Sequence, residues 1–210
     1  EAAFFLASPQ ASFITGINLI VDGGDILSWS RASLKAPTYL DLGAFGCLGV
    51  GVPFAVAASL NHPDRKVVAL VGDGALGFNV MELETAAREG ARFVVVVANN
   101  SAWNIERTDQ VLHYEAPVFG TELRDCAFDQ IAESLGINGY RVDPGDDLDA
   151  VLEQAFATAP ALVDVRVSRE PVSADTRSGL ARLPDHHALT AWDEAERAWL
   201  ASTGDGSEQS

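Results

Sequence analysis

The sequence predicts an α/β fold, a three-layer structure with a mostly parallel sheet and helices on both faces. From residue 37 onward, short runs of β-type residues alternate with stretches of helical periodicity, as in βαβ units. Two of these runs, at 67–71 and 93–98, are continuously apolar, which is typical of strands buried on both faces. With 210 residues and 48% hydrophobic content, the chain is long enough for one such domain with a full core.

The first apolar stretch, at 44–60, has to be distinguished from a membrane span. It is only 17 residues long, and it contains Gly46, Gly49, Gly51 and Pro53. It therefore predicts a glycine-rich loop that leads into a buried helix.

The following pattern predicts strands and helices in alternation. In chain order these are a strand at 66–71, a helix at 79–89, a strand at 93–98, a helix at 128–135, a strand at 140–142, a helix at 146–159 and a strand at 161–167. Gly90 and Gly136 end two of the helices. Residues 168–184 predict a surface arm, 190–200 a short helix, and 202–210 a disordered tail.

Composition limits the kinds of partner. The chain has 30 acidic and 14 basic residues, a net charge of −16 and no run of Lys or Arg, so we expect neither nucleic acid nor a membrane as a partner. Its two cysteines, Cys47 and Cys126, have no metal or redox spacing. This cysteine usage predicts a reduced, cytoplasmic protein.

Polar residues follow both of the apolar runs. Gly72-Asp73-Gly74 follows the first, and Asn99-Asn100 follows the second, so that Asn100 lies 27 positions after Asp73. The carboxyl ends of parallel strands are where open α/β folds bind ligands, and Mg²⁺ prefers carboxylate and carbonyl oxygens. The glycines would let the backbone approach phosphates, and a helix beginning near residue 78 would direct its N-terminus at them. The alternative for Gly-Asp-Gly alone is a strand-to-helix turn without a ligand.

The stretch from Gly-Asp-Gly to Asn-Asn resembles the metal- and diphosphate-binding motif of thiamine-diphosphate-dependent enzymes, the group of acetolactate synthase, 2-hydroxyacyl-CoA lyase and pyruvate decarboxylase. By this resemblance, the side chains of Asp73 and Asn100 and the carbonyl of Ala102 are ligands of Mg²⁺. Gly72, Gly74 and Ala75 would contact the diphosphate of the cofactor. Ala75 stands where many relatives have a small hydroxyl residue, so one hydrogen bond to the diphosphate would be lost.

The upstream turn at 43–49 is similar to the turn that bends thiamine diphosphate in the same family. Leu48 would be the bulky apolar residue under the bend, and the carbonyl of Gly46 would accept a hydrogen bond from the exocyclic amine of the cofactor. The alternative is that Leu48 is only a core residue.

Trp103-Asn104-Ile105-Glu106 follows the predicted metal loop. In the branch similar to pyruvate decarboxylase, a Glu at this offset from Asn-Asn lies beside the reacting carbon. The resemblance therefore makes Glu106 the candidate catalytic acid/base and places Ile105 near the cofactor. Partial burial of Glu106 would suit this role, whereas the alternative is a solvated loop acid paired with Arg107.

Residues 1–24 resemble instead the C-terminal tail of short-chain dehydrogenases, without the nucleotide-binding turn or the catalytic Tyr and Lys of those enzymes. We assign 1–24 to this tail, 25–201 to the thiamine-diphosphate-binding domain and 202–210 to a disordered end. The shared Asp-Gly-Gly-Asp at 22–25 suggests that the two parts were joined by gene fusion or by an error of sequence assembly.

The resemblance covers only the diphosphate-binding part of such an enzyme. We therefore expect a domain that binds thiamine diphosphate and Mg²⁺ but is inactive alone, since a pyrimidine-binding domain or partner subunit supplies the activating Glu. The intact enzyme, expected to be a homo-oligomer, would make or break C–C bonds next to a carbonyl, with a 2-oxo acid or a 2-hydroxyacyl-CoA as substrate. A non-catalytic cofactor-binding or assembly module and a dehydrogenase remnant are the alternatives.

Overall fold

The computed structural model describes residues 17–22, 38–40, 47–112 and 117–169. Several predictions concern other parts of the chain and lie outside the described residues. These are the positions of 1–16, of Gly46, of most of the surface arm, of the helix at 190–200 and of the disordered tail.

Six parallel strands form one sheet. They are β1 (Ile17–Asp22), β2 (Thr38–Leu40), β3 (Lys66–Gly72), β4 (Val94–Asn99), β5 (Asn138–Val142) and β6 (Ala161–Arg166). Their order across the sheet is β2-β1-β3-β4-β6-β5, so β3 and β4 are neighbours near its centre. β1 lies within the segment that resembles a dehydrogenase tail, and it pairs with β3 over its whole length.

Six helices connect the strands in the described part of the chain. They are α1 (Gly51–Asn61), α2 (Asp73–Asn79), α3 (Glu82–Glu89), α4 (Asn104–Leu112), α5 (Phe128–Ser134) and α6 (Leu148–Ala157). None of them is long and apolar enough to cross a membrane.

The core has two halves, one on each face of the sheet. Val67, Ala69 and Val71 of β3 face the side that α1, α3 and α5 cover. Val68 and Leu70 alternate with them and face the side that α6 covers. The predicted three-layer fold with a parallel sheet and helices on both faces is therefore confirmed.

The structure corrects the predicted helices at three places. The range 79–89 contains only the last residue of α2 and the whole of α3, and α2 begins at Asp73 rather than near Phe78. The segment from Asn104 is not a loop but the start of α4. Asp147, not Asp146, caps α6 by accepting a hydrogen bond from the N–H of Ala150 at 3.1 Å.

Candidate functional site

The ends of β3 and β4 bring the two polar motifs together. Gly72 is the last residue of β3 and pairs in register with Ala98, next to the end of β4. Asp73 then begins α2, and Oδ2 of its carboxylate accepts a hydrogen bond from the N–H of Ala102 at 3.2 Å. The juxtaposition that the spacing predicts is thus present.

Asp73 is a buried carboxylate that has no cationic partner in the part of the chain that the structure describes. Its residue is 5% exposed, and Oδ1 accepts the N–H of Gly74 at 2.9 Å. Burial raises the pKa of Asp73, and the hydrogen bonds from Gly74 and Ala102 only partly oppose this. None of the ion pairs between described residues includes Asp73. A cation at this position would compensate its charge.

The two asparagines after β4 have different surroundings. The Nδ2 of Asn99 donates to Oδ1 of Asp164 at 2.9 Å, and its Oδ1 accepts the N–H of Ser101 at 3.2 Å. The Oδ1 of Asn100 is buried and has no hydrogen-bond partner among the described residues. A buried acceptor without a partner is rare in native structures and requires an explanation. A cation bound to this oxygen would explain it. Asn99 therefore stabilises the loop after β4 through its hydrogen bonds, while the Oδ1 of Asn100 is available to bind a ligand.

Ala102 lies in a short antiparallel bridge with Glu122. The hydrogen bonds of this bridge come from its neighbours, from Trp103 N–H to Thr121 O at 2.8 Å and from Leu123 N–H to Ser101 O at 2.9 Å. In this arrangement, the N–H and C=O of the central residue both point away from the partner strand. Because the N–H of Ala102 reaches Asp73, its carbonyl lies on the side of Asp73 as well.

The residues next to Asp73 differ in the space around them. An added Cβ on Gly72 would meet nothing within 4 Å, whereas one on Gly74 would lie 2.6 to 2.8 Å from the ring of Trp103. Ala75 is 3% exposed and belongs to the buried apolar residues. Gly72 therefore leaves open space at the end of β3, while Gly74 makes room for an aromatic ring.

The turn that contains Leu48 is attached to α2. The Nδ2 of Asn79 donates to the carbonyl of Gly49 at 2.8 Å, and Gly49 has a positive φ of 91°. Its Cβ, if present, would lie 2.6 Å from Cβ of Phe78. Leu48 itself is half-buried, and neither core cluster of the described residues includes it. This favours a role for Leu48 other than that of a core residue.

Glu106 and Ile105 lie in the first turn of α4. Ile105 is half-buried, but Glu106 is exposed, so the partial burial that we expected for Glu106 is absent from this chain alone. Within the described residues there is also no ion pair between Glu106 and Arg107.

A cavity of about 520 Å³ adjoins Asp73. Its wall is mostly apolar and includes side chains from α2, from the segment after β4 and from α5. Among the lining residues are Gly74, Phe78, Trp103, Leu123 and Phe128. The described residues contain no cluster of three His, Cys, Asp or Glu side chains that could hold a metal ion.

A family model described as "Thiamine pyrophosphate enzyme, C-terminal TPP binding domain" matches residues 22–165, which is more than half of the chain. The chain belongs to this family. Thiamine pyrophosphate is the same compound as thiamine diphosphate, so the predicted family is confirmed. The second resemblance, of residues 1–24 to a dehydrogenase tail, stays a prediction.

The chain is similar to several curated proteins whose names denote different enzymes. The chain is 36% identical over 167 residues to "Probable acetolactate synthase" of Mycobacterium bovis, covering 78% of this chain and 30% of the relative. It is 33% identical over 176 residues to "2-hydroxyacyl-CoA lyase 2" of Caenorhabditis elegans (79% and 27%). It is 31% identical over 154 residues to "Pyruvate oxidase" of Lactiplantibacillus plantarum (70% and 26%). The matched part of the chain thus corresponds to 26–30% of the length of these three relatives.

Two residues of this thiamine pyrophosphate-binding domain support the loop after β4 but were not found by sequence reasoning. Asp164, fully buried in β6, accepts the Asn99 amide and the N–H of Phe128 at 3.3 Å. An acid inside an otherwise apolar strand was the available signal for it. Arg169 donates to two carbonyls of the loop. No local pattern in the sequence marks Arg169.

Proposed function

We propose that this domain binds Mg²⁺ together with the diphosphate of thiamine diphosphate at the edge where β3 and β4 end. The observation that carries the proposal is the buried, unpartnered Oδ1 of Asn100, in the same loop whose Ala102 N–H reaches the buried carboxylate of Asp73. One carboxylate and one amide oxygen, both buried and neither paired with a cationic side chain of the described residues, are the kind of donors that a hard divalent cation requires.

The residues would divide the work as follows. The carboxylate of Asp73, Oδ1 of Asn100 and the carbonyl of Ala102 would bind the ion, and phosphate oxygens and water would complete its shell. The open space at Gly72 suits a phosphate close to the backbone. Ala75 has no hydroxyl to donate to the diphosphate.

The reaction that we propose for the intact enzyme is the making or breaking of a C–C bond next to a carbonyl, with a 2-oxo acid or a 2-hydroxyacyl-CoA as the substrate. The cofactor, when bound, supplies a stabilised carbanion. Leu48 and Gly46 would orient the cofactor, and Ile105 would pack near it. Glu106 would transfer protons only after another domain or subunit covers its exposed side chain, since general acid/base catalysis needs contact with the reacting group.

Calorimetric titration of the 210-residue chain with thiamine diphosphate tests the binding proposal. We expect heat of binding in the presence of Mg²⁺ and a large loss of affinity after the metal is removed with EDTA. Binding that is equally strong with and without a divalent ion would contradict the proposed role of Asp73 and Asn100.

We also propose that these 210 residues do not turn over substrate by themselves, because they correspond to only about 30% of the relatives' length. The activating Glu would come from a pyrimidine-binding domain or a partner subunit of an oligomer. A turnover assay with pyruvate and Mg²⁺–thiamine diphosphate is expected to give no product above the enzyme-free background. Clear turnover by the purified chain would sink this part of the proposal.

A further inference from the structure

Arg169 connects the end of β6 to the loop after β4, across 69 residues of sequence. Its Nε donates to the carbonyl of Asn100 at 2.6 Å, and its Nη2 donates to the carbonyl of Ser101 at 2.7 Å. Its Nη1 lies 3.3 Å from Oε1 of Glu122. In return, Nδ2 of Asn104 donates to the carbonyl of Arg169 at 3.3 Å. The guanidinium group thus joins three separate parts of the chain.

The loop needs such support because its backbone is strained. Ser101 has a positive φ of 54°, which costs a non-glycine residue on the order of 1–2 kcal/mol. Residues in this region persist when their surroundings impose the conformation. Here Oδ1 of Asn99 accepts the Ser101 N–H, while the Ser101 carbonyl accepts both Leu123 N–H and the Arg169 guanidinium.

The guanidinium also determines which oxygens remain available. Of the three successive carbonyls at Asn100, Ser101 and Ala102, the first two are occupied by Arg169. Arg169 does not bind the carbonyl of Ala102, and Oδ1 of Asn100 has no hydrogen-bond partner among the described residues, so these two oxygens are the ones available to a ligand. The planar fork of an arginine can bind two adjacent carbonyls at once, whereas the ammonium group of a lysine is a single point of donation.

We propose that Arg169 is a positioning residue, which holds the loop at 99–102 so that Asn100 Oδ1 and the Ala102 carbonyl, and not the two preceding carbonyls, face a divalent cation. The inference rests on the proposed function for the identity of that cation. The hydrogen bonds from Arg169 to the loop are present in the ligand-free chain.

The test compares Arg169→Gln and Arg169→Lys with Arg88→Gln in the 210-residue chain. Arg88 is a matched control because it is an exposed arginine that pairs only with Glu84 at 3.3 Å and with Glu89 among the described ion pairs. Two quantities are measured: the affinity for Mg²⁺ at saturating thiamine diphosphate, and the hydrogen-exchange rate of the Ala102 amide in the metal-free protein. Melting temperatures verify that each variant is folded.

We expect Arg169→Gln to weaken Mg²⁺ binding about 10-fold or more, as is typical when a residue that orients a metal ligand is removed. The Ala102 amide should exchange faster in this variant, while the amides of Val95 and Val97 in the core of β4 keep their rates. Arg169→Lys should lie between the parent and the Gln variant, and Arg88→Gln should match the parent.

Equal affinity and equal Ala102 exchange in the parent and in folded Arg169→Gln would overturn the inference. If the parent chain binds no Mg²⁺–thiamine diphosphate, the proposed function is wrong. The inference on Arg169 is then tested only by the hydrogen-exchange rate of the Ala102 amide. A faster rate in Arg169→Gln supports the hold on the loop, and an unchanged rate overturns it. If Arg169→Gln does not fold, the same comparison is made with Arg169→Lys.

Discussion

Asp73→Asn is expected to lower the affinity for Mg²⁺–thiamine diphosphate by about 100-fold or more, since even a residue that only orients a metal ligand contributes 10- to 100-fold. The substitution keeps the size of the side chain and one of the two acceptors for the Gly74 and Ala102 amides. It removes the other acceptor and the negative charge, and a hard cation requires that charge. Calorimetric titration measures the effect, and retention of parental affinity would contradict the assignment of Asp73 as a metal ligand.

The same substitution has a second consequence, for the stability of the ligand-free domain. Burial raises the pKa of Asp73 above its ordinary value of 3.8, so the carboxyl group of the unfolded chain ionises first as the pH rises. The contribution of this group to stability is therefore complete below pH 3.8 and is lost as the pH rises through the higher pKa of the folded state. As the pH rises above 3.8, the folded domain therefore loses stability relative to the unfolded chain.

We therefore expect ligand-free Asp73→Asn to be more stable than the parent at pH 7 and to lose this advantage as the pH falls toward 3.8. Urea unfolding at several pH values measures the difference. Asp64→Asn is the matched control, because Asp64 is exposed and precedes the opposite, amino-terminal end of β3. A less stable Asp73→Asn at pH 7 would mean that the hydrogen bonds to the carboxylate outweigh its burial.

The position of the candidate site was predictable because it depends on a simple property of parallel sheets. The apolar runs at 67–71 and 93–98 identify two buried strands, and their carboxyl ends have to lie at one edge when the strands are neighbours. Asp73 and Asn100 follow those ends directly. Their local sequence therefore contained the information that brings them together.

The start of α2 was not predictable in the same way. Its sequence, Asp-Gly-Ala-Leu-Gly-Phe-Asn, contains two glycines and has a weak intrinsic tendency to form a helix. The structure indicates that tertiary packing stabilises this helix, since Leu76 is buried in the core and the ring of Trp103 lies against Gly74. Contacts of this kind cannot be read from a local pattern.

Long-range contacts explain why the sequence did not predict the role of Arg169. Arg169 reaches its partners across 68 and 69 residues, and nothing in its own neighbourhood distinguishes it from a surface arginine. The environment of Glu106 could not be predicted for a different reason. Its side chain is exposed in this chain, and its proposed role depends on another domain or subunit that would cover it. The sequence supports a candidate role for Glu106 only through the family resemblance.

Gly74→Ala is expected to destabilise the domain by about 1–3 kcal/mol, the usual cost of an overpacked contact. The new methyl group would lie within 2.8 Å of the Trp103 ring. That ring also packs edge-on against Phe78, with 5.8 Å between the ring centroids, so moving it would disturb a second contact. Urea unfolding measures the effect. Gly72→Ala is the control, because an added Cβ there meets no atom within 4 Å and should leave stability nearly unchanged.

Repeating Gly74→Ala in the Trp103→Ala variant tests whether the Trp103 ring causes the loss of stability. In a helix without a steric conflict, replacing Gly by Ala is favourable by up to about 1 kcal/mol. The effect of Gly74→Ala should therefore change sign once the ring is removed, from destabilising in the parent to neutral or stabilising in Trp103→Ala. A double-mutant cycle measures this coupling directly. If Gly74→Ala is equally harmful in both backgrounds, the ring of Trp103 is not the reason for glycine at this position.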